Sequence, residues 1–246
     1  MTGVQTCALP IYWLGSLPVE SYNHNIDNVP TTRKRRRKCF SLSSIISPFK
    51  FENVEYYKPP PPIAGKKTVV LDMDETLIHC SEYEPSEEIK SFKMDGYFVY
   101  KRPGLDKFLK HTRSKFEIFI FTYGEEEYAN PILDVICPFV DQEHRLFRDS
   151  CEKHSGKVKK DLKMLGRDKK NLIFVDDNQS ASEFSPKNTL KIERWEGYPY
   201  DRALIDWLPQ ILSRCFEADD VRDVIKEVKK EQKKASFKVT DRKSVV

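Results

Sequence analysis

Thr68-Val69-Val70-Leu71-Asp72-Met73-Asp74-Glu75-Thr76 is the stretch on which the fold of this chain turns. A β-favouring apolar run with no polar alternation leads straight into two aspartates, two residues apart. Such a run suits a strand buried on both faces, as in a parallel sheet. Two more follow: Phe116 to Phe121, ending in Thr122, and Asn171 to Val175, ending in Asp176-Asp177. Helical patterns alternate with them, carried by Leu105, Phe108 and Leu109, and by Leu204, Trp207, Leu208, Ile211, Leu212 and Cys215. Strand–helix alternation predicts a doubly wound α/β domain. One interruption stands out. Between Ile89 and Tyr100 an alternating stretch breaks at Asp95-Gly96, a strong hairpin signal.

In an open parallel sheet, ligands bind beyond the carboxyl ends of the strands. These three runs therefore bring Asp72, Thr122 and Asp176-Asp177-Asn178 to one edge. One carboxylate of the Asp72/Asp74 pair can attack phosphorus, since aspartate is a covalent nucleophile. Its neighbour can protonate a leaving oxygen and then take a proton from water. The plainer alternative for both is a turn-forming role after a strand.

Composition narrows the classes. The chain has 246 residues, 33% charged and 39% hydrophobic, which suits one domain with tails. No apolar run is long enough for a transmembrane helix. A net charge of +4, from 42 basic and 38 acidic side chains, argues against a whole-protein grip on nucleic acid. Six dispersed cysteines without a CxxC pair point to a reducing compartment. Residues 1–65 read as a disordered segment. Its Cys7–Leu17 stretch contains Pro10 and lacks a basic flank, which argues against a secretory signal. Arg33 to Lys38 is an unbroken basic run, either a solvated charge run or a patch for a nuclear import receptor. Pro59 to Pro62 is a stiff spacer. The domain is placed at 66–218, and 219–246 as a C-terminal helix and tail. That helix is expected to dock weakly or fray.

Beyond the residues themselves, VVLDMDETL resembles the first motif of the haloacid-dehalogenase superfamily. Lys101-Arg102-Pro103-Gly104, FIFTYGEEEYA, LFRDSC, VKKDLKMLGRD and FVDDNQSASEF then resemble, in order, the small RNA-polymerase C-terminal-domain phosphatases and the NLI-interacting-factor-like phosphatases. The resemblance covers about Lys66 to Val224. It implies an α/β, three-layer Rossmann-like parallel sheet (the haloacid-dehalogenase fold) with a small β-hairpin insertion and no large cap. It also implies Asp72 as nucleophile, Asp74 as general acid and base, Thr122 and Lys160 on the phosphoryl oxygens, and Thr76 at the substrate. Arg148 has two readings, orienting substrate or holding a backbone carbonyl. The implied cofactor is Mg²⁺, held by Asp72, the Asp74 carbonyl, Asp177 and Asn178. Asp176 is read as structural, with both Asp176 and Asp177 facing the metal as the other reading. Hard oxygen ligands and phosphoryl transfer agree with such a site.

The reading implied is a Mg²⁺-dependent serine/threonine phosphatase on a phosphoprotein, the RNA polymerase II tail among the candidates, acting in the nucleus or in nucleus and cytoplasm. The rivals are a non-catalytic peptide-binding module of the same fold and a small-molecule phosphatase. Phe92, Met94, Tyr97, Phe98 and Tyr100 of the hairpin either form an aromatic surface or pack on the domain.

Overall fold

The computed structural model describes residues 57–154, 157–178 and 183–243. The readings of Cys7–Leu17 and Arg33–Lys38 lie outside the described residues. Strand β1 (Lys67–Leu71) leads into an antiparallel insert of β2 (Ile78–Ser81), β3 (Ser91–Met94) and β4 (Tyr97–Lys101). Helix α1 (Leu105–Lys115), β5 (Phe116–Phe121), α2 (Glu126–Ile136) and β6 (Arg145–Leu146) follow. A short antiparallel pair, β7 (Glu152–His154) and β8 (Lys157–Lys159), precedes β9 (Leu172–Asp176) and β10 (Thr189–Lys191). The last described elements are α3 (Leu208–Glu217) and α4 (Val221–Lys243).

The central sheet has the order β10-β9-β1-β5-β6, and every pairing in it is parallel. The register explains the continuous apolar runs. Val69 and Leu71 line up with Ile118 and Ile120 on one side and with Ile173 and Val175 on the other. All six face a cluster that takes side chains from α1, α2, α3 and α4. Val70, Phe119, Phe121, Leu172 and Phe174 point to the opposite face, which Leu162 and Leu165 of a 3-10 turn cover. Strands β1, β5 and β9 are thus dry on both faces, and alternation vanishes from their sequences.

Three departures from the sequence reading have local causes. The hairpin recruits β2 and becomes a three-stranded sheet of order β2-β4-β3. Its turn is as expected, with positive φ at both Asp95 (49°) and Gly96 (89°), which a twisted two-residue turn requires. The pattern beginning at Leu204 opens as a wider π turn over Ala203–Trp207 before α3. Pro209, lacking an N–H, cannot close the α-type bond to Ile205. Finally, α4 does not dock weakly over its first half. Val221, Val224, Ile225 and Val228 are all buried in the main cluster.

Arg102 ties the insert to the sheet. It is buried, donates through Nε and Nη2 to both oxygens of Asp201, and reaches the carbonyls of Thr76 and Glu193 at 3.0 and 2.9 Å. This planar fork fixes the loop after β1, where the site is built.

Candidate active site

The site lies where β1, β5 and β9 end. Backbone pairing carries on past the strands: Asp72 N donates to Val175 O and Thr122 N to Leu146 O, each at 3.0 Å. The first residue beyond β1 and beyond β5 is therefore held at the level of the sheet edge. After Asp72 the chain turns sharply. Glu75 adopts φ 56°, and its N–H donates to Ile78 O at 2.8 Å. That turn carries Asp74 back over the strand ends.

Two hydrogen-bonded groups result. In the first, Lys160 donates from Nζ to Asp72 Oδ1 at 2.6 Å and to Asp176 Oδ2 at 2.8 Å. Thr76 Oγ1 donates to the other oxygen of Asp72 at 2.8 Å. Burial alone would lower the Lys160 ammonium, but the two carboxylates overcome it and hold it above the usual lysine range. The rings of Phe121 and Phe174 lie beneath the ammonium. In the second group, Asp74 accepts from Tyr128 OH at 2.6 Å and from Thr122 Oγ1 at 3.2 Å. Burial, together with the charges of Glu75 and Asp72, pushes Asp74 up to about 7. The two aspartates of the motif are thus set apart. One is ion-paired to a lysine, and the other is poised to carry a proton at neutral pH.

A third layer sits behind Asp177. Arg194 donates from Nη1 to Asp177 Oδ2 at 3.0 Å and from Nε to Glu196 Oε1 at 3.0 Å, and its Nη2 lies 3.3 Å from Glu75 Oε2. Glu75 Oε1 faces His79 Nδ1 at 3.4 Å, both atoms buried. Asp72, Asp176 and Asp177 each offer a carboxylate oxygen within 4.8 Å of the others. An oxygen-only set of this charge fits a hard divalent cation, and the family to which the site points implies one. Burial and the charge of Asp72 hold Asp176 and Asp177 above the ordinary carboxylate range, a repulsion that a bound cation would relieve.

Of the residues singled out from sequence, Asp72, Asp74, Thr122 and Lys160 converge here. Thr76 is fully buried, and its hydroxyl donates to the Asp72 carboxylate. For Arg148 the backbone reading matches the structure: Nε donates to Tyr123 O at 3.1 Å, Nη1 pairs with Glu125, and the guanidinium lies over the Tyr123 ring. Asp176 and Asp177 both lie beside Asp72, as the second reading of this pair has it. Asn178 is exposed, and its backbone N–H donates to Asp176 Oδ1 at 2.7 Å. β9 carries one residue further than the apolar run, so Asp176 is the last strand residue and is buried.

The sequence reading missed Tyr128, Glu75 and Arg194. Tyr128 comes from α2 and Arg194 from the segment after β10, and neither spacing marks them as neighbours of Asp74 or Asp177.

Comparison with known proteins shows the family. Residues 67–222 match the family described as NLI interacting factor-like phosphatase. A Dictyostelium discoideum protein named "Probable C-terminal domain small phosphatase" is 41% identical over 170 residues, covering 66% of this chain and 55% of that protein. The human "CTD small phosphatase-like protein" is 37% identical over 168 residues, covering 65% of this chain and 60% of the relative. The chain thus spans little more than half the length of the curated relatives it matches. Among solved structures, one described as "The Structure of Fcp1, an essential RNA polymerase II CTD phosphatase" aligns with TM-score 0.45 and 20% identity, covering 66% of this chain and 52% of that one. The motif order, the shared edge of the sheet and a family match over most of the described residues lead to one assignment: the chain belongs to the NLI interacting factor-like phosphatase family.

Proposed function

We propose that this chain is a Mg²⁺-dependent protein serine/threonine phosphatase that works through an aspartyl-phosphate, with residues 66–218 as its catalytic unit. The observation that carries the reading is the division of labour between Asp72 and Asp74. Asp72 is oriented by Lys160 and Thr76. Its carboxylate oxygen attacks phosphorus, and the bond from phosphorus to the seryl or threonyl oxygen breaks. Asp74, raised to about 7, gives its proton to that leaving oxygen. Asp74 then takes a proton from water, the resulting hydroxide attacks the phosphorus of the aspartyl-phosphate, and inorganic phosphate leaves with Asp72 restored. Lys160 and the Thr122 hydroxyl neutralise and orient the phosphoryl oxygens. A magnesium ion held by Asp72 and Asp177, with Asp176 close by, would supply further charge neutralisation.

The insert built from β2, β3 and β4 is small, and no cap-sized segment occurs among the described residues. An open edge suits a peptide better than an enclosed metabolite. A phosphoserine-bearing segment such as the RNA polymerase II tail, named for a 34% identical human small phosphatase, is one candidate substrate. A nuclear or nucleocytoplasmic site of action follows from that candidate.

Hydrolysis of p-nitrophenyl phosphate tests the enzyme, with wild type beside Asp72→Asn and with magnesium present or chelated. Activity that requires both the metal and Asp72 is expected. A folded, magnesium-loaded protein that cleaves neither the aryl phosphate nor phosphopeptides would overturn the reading in favour of a peptide-binding module. A strong preference for sugar or nucleotide phosphates over phosphopeptides would overturn the substrate class alone.

A further inference from the structure

The family match ends at Arg222, one residue into α4. The rest of that helix builds a feature the phosphatase chemistry does not use. Between α4 and the loop before β10 lies an open groove of about 610 Å³. Lys187, Arg222, Lys226, Lys229, Lys230 and Lys233 give it six cationic side chains, against two carboxylates, Asp220 and Asp223. Asp220 and the guanidinium of Arg222 pair with each other, which leaves five lysines against Asp223.

The charge is sorted by helix geometry. Positions 226, 229, 230 and 233 share one side of an α-helix. Glu227 and Glu231 lie on the other side, paired with Arg214 of α3. Two acids of α4 thus pair across to α3, while its lysines collect along the groove. They crowd one another there: burial and the adjacent Lys233 hold Lys229 below the usual lysine range, and its Nζ donates to Pro186 O at 2.5 Å. Like charges gathered in a concavity focus a positive potential that attracts anions.

The groove also has a direction. Lys67, at the start of β1, reaches the carbonyls of Cys215 and Phe216 just before α4, so α4 begins at the amino edge of the sheet. Gln232 donates to Lys191 O at the end of β10. The lysine side thus climbs from the amino edge towards the carboxyl edge where the catalytic cluster sits.

We infer that the groove between α4 and the Pro186 loop is a docking site for an acidic peptide segment of a partner protein. The match is one of charge and shape: an extended strip of ammonium groups takes a run of aspartate, glutamate or phosphorylated side chains, with no demand for a particular sequence. The docking site does not depend on catalysis at Asp72.

The full chain is titrated into a fluorescein-labelled oligoglutamate peptide at low salt, and anisotropy is read. Wild type should bind, and binding should weaken as salt screens it. The triple variant K226E/K230E/K233E should weaken it about tenfold or more, with an unchanged melting curve, because all three side chains are exposed. If that variant does not fold, K226Q/K230Q provides the milder test, with a smaller loss in the same direction. K107E/K110E, on the exposed side of α1, reverses two charges elsewhere and is compared with K226E/K230E, which reverses two in the groove; the α1 pair should leave the affinity near that of wild type. Hydrolysis of p-nitrophenyl phosphate should be equal in all of these variants, which separates this inference from the catalytic one. Equal weakening by the α1 variant would show net charge at work and overturn the site. So would unchanged binding in the groove variants, no peptide binding by wild type, or a single-stranded RNA that binds through the same lysines while the peptide does not.

Discussion

Lys160 and the lysines of α4 occupy opposite electrostatic worlds in one small domain. Lys160 is buried and shared between two carboxylates at hydrogen-bond distance, so its charge is cancelled atom by atom. Lys226, Lys230 and Lys233 are exposed and line a groove where cations outnumber acids. The difference shows that burial forces pairing, whereas solvent allows like charges to accumulate. The first arrangement is specific to single atoms and intolerant of change. The second is tolerant, additive and sensitive to salt.

The sharpest break of this contrast removes the atom that reacts. Asp72→Asn should lower kcat for p-nitrophenyl phosphate by at least about 10⁴-fold, in line with the loss of a nucleophile elsewhere. No groove variant should approach that. Next in size is Lys160→Met, which leaves Asp72 and Asp176 buried without their cation. It should cost the metal-free protein about 3–5 kcal/mol in urea denaturation, with part of the loss recovered at mildly acid pH as a carboxylate takes up a proton.

A second buried cluster, at the amino end of the sheet, extends the comparison to pH. Burial of Glu117 raises its pKa, but hydrogen bonds from Arg167, His144 and Thr68 outweigh it and hold the carboxyl at about 2. A depressed carboxylate stabilises the fold above its unfolded value, near 4.5, and loses that contribution as pH falls towards 2. Wild type should therefore lose about 2–3 kcal/mol across this window that Glu117→Gln does not lose, as followed by denaturant midpoints at successive pH values.

Smaller effects sharpen the picture of the acidic edge. Arg194→Ala frees Asp177 from its guanidinium and should weaken Mn²⁺ or Mg²⁺ binding about tenfold by calorimetry, as loss of a residue bracing a ligand does. Arg194→Lys, keeping the charge without the fork, should recover part of it. Tyr128→Phe removes the donor to Asp74 Oδ1, which is one of the bonds lowering its pKa. The acid form should then persist higher, moving the alkaline limb of the kcat profile upward, with about 1 kcal/mol lost in stability.

The fold was legible because its strands are continuous apolar runs, and a run buried on both faces has no other common explanation. The Asp95-Gly96 turn was legible because its local backbone demands positive φ twice. Within the site, Asp72, Asp74, Thr122 and Lys160 were legible from motif order. The choice between the two readings of Asp176 was not, because one extra strand residue decides which side chain is buried beside Asp72, and a periodicity argument carries an error of that size at every strand end. A hydroxyl four residues after Asp72 can face either a ligand or the carboxylate, and only the folded turn at Glu75 shows Thr76 donating to Asp72.

The sequence by itself determined the parallel sheet, the position of the hairpin and the carboxylate pair after the first strand, since each follows from neighbouring residues and backbone preference. Tertiary structure alone decided the burial of the first half of α4, the Tyr128 donor to Asp74, the Arg194 brace on Asp177 and the sorting of lysines into a groove. Those depend on contacts between segments far apart in the chain. Side-chain charge acts through distance in space, and distance in sequence does not report it.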